Sequence, residues 1–155
     1  MVMATAKALT KTVGVARRGM ESKYMKLNHL NLTVTDVPAT RRLFERYFGF
    51  TGLEKGGNDN FDIVFDDHGL VLTLMNGGEV SYPETFHIGF VQANEERVNA
   101  INQRLKDDGF DVEAPERFHG SWTFYFHAPG GLTIEVLTLP GAQGKDTYRI
   151  PRSLL

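Results

Sequence analysis

The 155-residue chain has no cysteine at all. That excludes disulfides, thiolate zinc sites and cysteine nucleophiles together, and leaves a reducing, cytoplasmic compartment as the default expectation. It also lacks an apolar run near the roughly 18 residues that a membrane span requires, so no membrane is expected as a partner. A net charge of -2 gives no broad basic surface, so no nucleic acid is expected either. Tryptophan occurs once and proline six times, whereas phenylalanine occurs eleven times and glycine sixteen. With 41% hydrophobic and 23% charged residues, the chain can bury a core, and its length suits one compact domain or two small halves sharing one.

Acidic residues are missing from the first twenty positions, where Lys7, Lys11, Arg17 and Arg18 stand alone. Without that stretch the body carries 13 basic and 19 acidic side chains. Residues 1–24 are accordingly set apart as an N-terminal extension, read as a non-native start in preference to a transit peptide, with Met20 and Met25 as alternative starts. Residues 140–155 form a turn-rich exit and tail in which Tyr148, Arg149 and Arg152 are expected to trail in solvent. Residues 25–139 are the domain.

Within the domain a pattern occurs twice. The runs Leu27 to Val34 and Thr85 to Val91 both alternate with a period of two, and each carries one histidine away from the large aliphatics. In the first, Leu30, Leu32 and Val34 oppose His29, Asn31 and Thr33; in the second, Phe86, Ile88 and Phe90 oppose His87, Gly89 and Val91. Seven residues after each histidine comes a helix N-cap, Asp36 or Asn94. Each following amphipathic stretch then stops at a glycine-phenylalanine pair, Gly49-Phe50 or Gly109-Phe110, as a left-handed cap with an apolar residue behind it requires. Strands are expected at 51–55, 60–66 and 69–76 in one half and at 111–117, 121–128 and 131–138 in the other. The fold class is therefore α+β: two βαβββ modules, about 25–78 and 84–139, forming a curved, mainly antiparallel sheet cup with helices on the outer face. Phe61, Ile63 and Phe65 alternate with Asp62, Val64 and Asp66, and Trp122, Phe124 and Phe126 with Thr123, Tyr125 and His127, as one-sided strands do.

Aligning Gly69 with Gly131 sets Thr73 opposite Glu135. Parity puts Glu135 on the side away from Leu132, Ile134 and Val136. A carboxylate in such an apolar strand must be solvated, paired or coordinated. A lone strand histidine is ordinarily an unremarked, half-exposed residue, but His29, His87 and Glu135 occupy matching positions. Two imidazoles and one carboxylate make a facial metal triad with open coordination positions, and Fe2+, Mn2+, Ni2+ or Zn2+ would all suit it.

These paired modules resemble the vicinal oxygen chelate superfamily, which includes lactoylglutathione lyases, extradiol dioxygenases, fosfomycin-resistance thiol transferases, methylmalonyl-CoA epimerases and bleomycin-binding proteins. The run from Phe124 through Tyr125, Pro129, Gly130 and Gly131 to Glu135 is similar to the aromatic-tyrosine, proline-glycine, glutamate signature of its dioxygenase and transferase modules. The resemblance implies His29, His87 and Glu135 as metal ligands and Tyr125 as a catalytic, substrate-binding hydroxyl. Thr73 replaces the fourth ligand of the lyases and epimerases, which points to ring-cleavage-type chemistry on a small oxygen-bearing substrate. Alternatives are a lyase, a thiol transferase or a non-catalytic binding protein. His119 is a candidate acid–base group, and Asn31, Thr73 and His127 are expected to line the substrate site. The resemblance further implies a homodimer, with His29 supplied either in the same chain or by the other copy.

Overall fold

The structure, a computed structural model, describes residues 25–139. The expectations for the basic start and for the tail lie outside the described residues.

Each half is built of a strand, a helix and three strands. The first comprises β1 (His29–Val34), α1 (Val37–Phe48), β2 (Thr51–Gly52), β3 (Phe61–Phe65) and β4 (Val71–Asn76). The second comprises β5 (Ile88–Val91), α2 (Glu95–Asp107), β6 (Glu116–Phe118), β7 (Ser121–Ala128) and β8 (Leu132–Leu137). The sheets have matching orders, β1-β4-β3-β2 and β5-β8-β7-β6. In both, the first strand returns parallel beside the last, and the other pairings are antiparallel. The α+β repeat expected from the sequence is the fold. No helix among the described residues is long and apolar enough to cross a membrane.

The helix ends follow from their sequences. The Asp36 carboxylate accepts from Ala39 N at 2.8 Å, and Asn94 Oδ1 accepts from Arg97 N at 3.0 Å. Each gives a helix N-terminal N–H a partner it otherwise lacks. At the other end Gly49 takes φ 71°, Phe50 N donates back to Phe44 O, and the Phe50 ring is buried. Gly109 and Phe110 repeat the arrangement after α2.

Three strands are markedly shorter than expected; β5 begins only at Ile88, so His87, expected within it, immediately precedes it. Of the segment near 111–117 only Glu116 and Arg117 pair, in a β6 that runs Glu116–Phe118. Pro115 has no N–H to offer a ladder, and the Glu113 carbonyl is taken by Asn102 Nδ2 of α2 at 2.7 Å. After Gly52 the chain turns at once, because Gly56 N and Arg41 Nη2 both donate to the Leu53 carbonyl.

The helix-covered faces of both sheets merge into one core. Leu32, Phe44, Val64 and Leu74 pack in the same cluster as Val98, Leu105, Phe126, Ile134 and Val136. Phe90 joins the halves: its ring stacks on Phe48 with centroids 3.8 Å apart and lies 6.0 Å from Phe44. The start of α1 docks on the β7–β8 turn, where Thr40 Oγ1 donates to Pro129 O and Thr35 N to Gly130 O, both at 3.1 Å. Gly130 sits at φ 92°, and a Cβ there would collide with Thr40 Oγ1.

The burial of β3 reverses what its side chains suggest. Asp62 and Val64 face α1 and are buried, while Phe61, Ile63 and Phe65 take the open side. The reason is ionic: Arg41 of α1 holds the Asp62 carboxylate at 2.8 Å and Glu45 at 2.9 Å. A paired carboxylate can be buried where an isolated one cannot.

Candidate functional site

Register brings the chemistry of the second half together. β7 sets Tyr125 directly opposite Glu135, and β5 sets Gly89 against Glu135 from the other side. Alternation sends Glu135 to the face away from Ile134 and Val136, yet it remains only 8% exposed. Its carboxylate is held at both oxygens. Oε1 accepts from the Tyr125 hydroxyl at 2.7 Å and from Thr123 Oγ1 at 2.9 Å. Oε2 lies 3.2 Å from His87 Nε2. Gly89 borders Oε2 without being required there: a Cβ would make ordinary van der Waals contact with it at 3.6 Å.

The orientation of His87 fixes what can stand between these two atoms. Its Nδ1 lies 3.0 Å from the Thr85 carbonyl, which only accepts, so Nδ1 is the protonated nitrogen. In the neutral ring Nε2 then presents a lone pair to a carboxylate oxygen. Two acceptors that close require a cation, either a proton on Nε2 or a metal ion between them. Partial burial first, and then the bond to Glu135 and its charge, push the Tyr125 hydroxyl up to about 12. Loss of its proton would set a phenolate against the carboxylate.

The first half carries a second cluster on its own open face. His29 Nε2 and Thr73 Oγ1 are 3.1 Å apart, and Asn31, beside Thr73 in the register, donates from Nδ2 to Met75 Sδ. The structure thus groups His87, Glu135 and Tyr125, and groups His29 with Thr73 and Asn31. Among the described residues of one chain, no three metal-ligating side chains converge on one point. The halves share their helix-side core, so their open faces belong to separate sheets. His127 lies on the face of Tyr125, its Nδ1 3.4 Å from Thr133 Oγ1. His119 is elsewhere: it occupies the β6–β7 turn at φ 47°, its ring against Phe118. His68 is exposed in a turn beside Asp67.

Sequence reasoning passed over Thr123, Thr85 and Gly89. Thr123 was findable, since it shares the parity of Tyr125 two residues on. The Thr85 role depends on a backbone carbonyl and Gly89 borders Glu135 only through sheet register, and neither leaves a residue-type signal. A groove of about 390 Å³ lies on the helix side, lined by Arg42, Arg46, Tyr47 and Asp108 among others, and holds none of the site residues.

The family model for the Glyoxalase/Bleomycin resistance protein/Dioxygenase superfamily matches residues 26–136. A solved structure from Bacillus cereus, described as a possible glyoxalase, is 54% identical with a TM-score of 0.68, over 74% of this chain and 99% of that one. Lactoylglutathione lyase from Agrobacterium tumefaciens is 18% identical with a TM-score of 0.59, over 73% and 92%. The fosfomycin resistance protein FosX from Listeria monocytogenes is 19% identical with a TM-score of 0.61, over 74% and 93%. At those identities the last two show a shared fold. No curated protein matches the chain.

Proposed function

The chain belongs to the glyoxalase/bleomycin resistance protein/dioxygenase superfamily, and on that premise we propose that it is a divalent-metal-dependent enzyme acting on a small oxygen-bearing organic substrate. The observation that carries this reading is the His87–Glu135 pair: an imidazole lone pair and a carboxylate oxygen 3.2 Å apart on an open sheet face. Their donor chemistry fits a divalent ion such as Fe2+, Mn2+, Ni2+ or Zn2+. His87 and Glu135 would hold it together with His29 brought from the first half of a second copy in a homodimer, because within one chain His29 stands in a separate cluster. The ion would supply Lewis acidity, or dioxygen chemistry if it is iron.

The remaining residues prepare that position. The Thr85 carbonyl orients the His87 ring, and Thr123 and Tyr125 pin Oε1 so that Oε2 is the free donor. Such supporting bonds orient a metal ligand and tune its basicity. Tyr125 keeps its proton at neutral pH and gives it to Glu135 Oε1, which leaves the phenol oxygen to accept from a substrate hydroxyl. His127, on the same face, is a better-placed imidazole than His119. Within the superfamily's chemistries we favour ring cleavage, because Thr73 is a hydroxyl at the position where a fourth ligand would close the site. A second reading, a non-catalytic binder of an apolar small molecule, draws on the open side of Phe61, Ile63 and Phe65.

Metal titration after chelator treatment decides between these readings. Tight uptake that is lost in His87→Ala and Glu135→Ala is expected. Wild-type protein that takes up no divalent metal would sink the enzyme reading.

A further inference from the structure

The imidazole of His87 is not held by a strand. β5 begins at Ile88, whose partner is Ile134, so His87 stands just before the ladder. The bond that orients its ring comes from the Thr85 carbonyl, and Thr85 lies in the connector between the halves. A carbonyl can fix an imidazole's tautomer only as firmly as its own segment is fixed. Whatever holds residues 83–87 therefore decides what His87 Nε2 presents to Glu135 Oε2.

A chain of contacts leads from this segment to the first half. Phe86 N donates to Pro83 O at 2.8 Å and closes a turn around Thr85. The Phe86 ring stacks on Tyr82, with centroids 4.4 Å apart and planes 12° from parallel. The Tyr82 hydroxyl accepts from Thr33 N at 3.0 Å and donates to Thr33 O at 2.9 Å. Thr33 belongs to β1, an edge strand of the first sheet. One hydroxyl thus takes both backbone groups of an edge residue that would otherwise look to solvent or to another strand. Sealing an edge needs only a small polar group. The parallel stack on Phe86 is what carries the anchorage onward to the turn, and both rings pack against the common core.

We infer that Tyr82 is a positioning residue for the His87–Glu135 pair. It pins the 83–87 turn to the edge of β1, and through the Thr85 carbonyl it keeps the His87 proton on Nδ1 and the Nε2 lone pair toward Glu135. The inference rests on the reading of that pair as part of a metal centre. It makes the donor that the second half offers a metal depend on the connector and on a strand of the first half.

The test is Tyr82→Phe, which keeps the ring and its stack and removes both bonds to Thr33. A proton–nitrogen correlation spectrum of the metal-free protein, taken above the imidazole's ordinary titration range, reads the His87 tautomer, with the signal assigned by its loss in His87→Gln. Wild-type protein should carry the proton on Nδ1, and Tyr82→Phe should share it between both nitrogens. Hydrogen exchange at the Thr33 amide should quicken in the variant, and its zinc Kd should rise about tenfold, as for lost support of a metal ligand. Glu45→Ala, which loosens the first half elsewhere, should leave the tautomer as it is. An unchanged tautomer, unchanged zinc affinity or unchanged Thr33 exchange in Tyr82→Phe overturns the inference. So does an equal tautomer change in Glu45→Ala, which would mean general loosening. Zinc binding to neither wild type nor variant would refute the metal reading alone, because the tautomer and the exchange are read without metal.

Discussion

Replacing Glu135 with glutamine removes the charge at the centre of the site and leaves a side chain of the same shape. The consequence is readable at Tyr125, whose hydroxyl donates to Glu135 Oε1 at 2.7 Å and is pushed up to about 12 from the ordinary 10. Partial burial is the largest cause, followed by the bond to Glu135 and the nearness of its charge. Glutamine weakens the second and abolishes the third but leaves the first. The Tyr125 pKa should therefore fall in Glu135→Gln without reaching 10. A raised phenol holds its proton more tightly in the folded state than in the unfolded one. Its contribution to stability is complete below pH about 10 and is lost as pH rises toward about 12, and the variant should narrow that window. The chain has five tyrosines, so the tyrosinate absorbance must be titrated with and without Tyr125→Phe in each background and the pairs subtracted. Circular dichroism at each pH confirms that the folded state is being read. An unchanged midpoint in Glu135→Gln would mean that the carboxylate does not hold this proton, and the reasoning about the site would fail with it.

Four further outcomes are expected. Arg41→Ala should cost roughly 3–5 kcal/mol in urea unfolding, because it leaves the buried Asp62 unpaired, and Glu45→Ala should cost clearly less. Gly130→Ala should be several-fold more destabilising than Gly69→Ala: both glycines have positive φ, but only at Gly130 would the new Cβ strike Thr40, whereas Gly69 faces open space and costs on the order of 1 kcal/mol. Thr73→Glu should raise metal affinity by filling an open position, and unchanged affinity would place Thr73 away from the ion. Mixing His29→Ala with Glu135→Ala protein should partly restore metal binding if the site is shared between copies, and no recovery after demonstrated subunit exchange would mean that each site is built within one chain.

Much of this was legible in the sequence because it is governed by local rules. A period of two assigns faces, so His29, His87 and Glu135 could be placed away from the aliphatic side before any coordinates. Asp36, Asn94 and the two glycine-phenylalanine pairs marked the helix ends, since capping involves neighbours within a few residues. The internal repeat followed from these signals, and the α+β architecture followed from the repeat. Alternation does not say which side of a strand is packed, and at β3 the tertiary structure decided against the aromatic side because Arg41, twenty-one positions from Asp62, neutralises a buried carboxylate. Nor does it say what stands across the sheet: the bonds from Thr123 and Tyr125 to Glu135 exist only once register is set. The separation of His29 from the His87–Glu135 pair within one chain is likewise tertiary. It arises because both halves bury their helix faces in one common core, a choice made by packing between residues far apart in the chain.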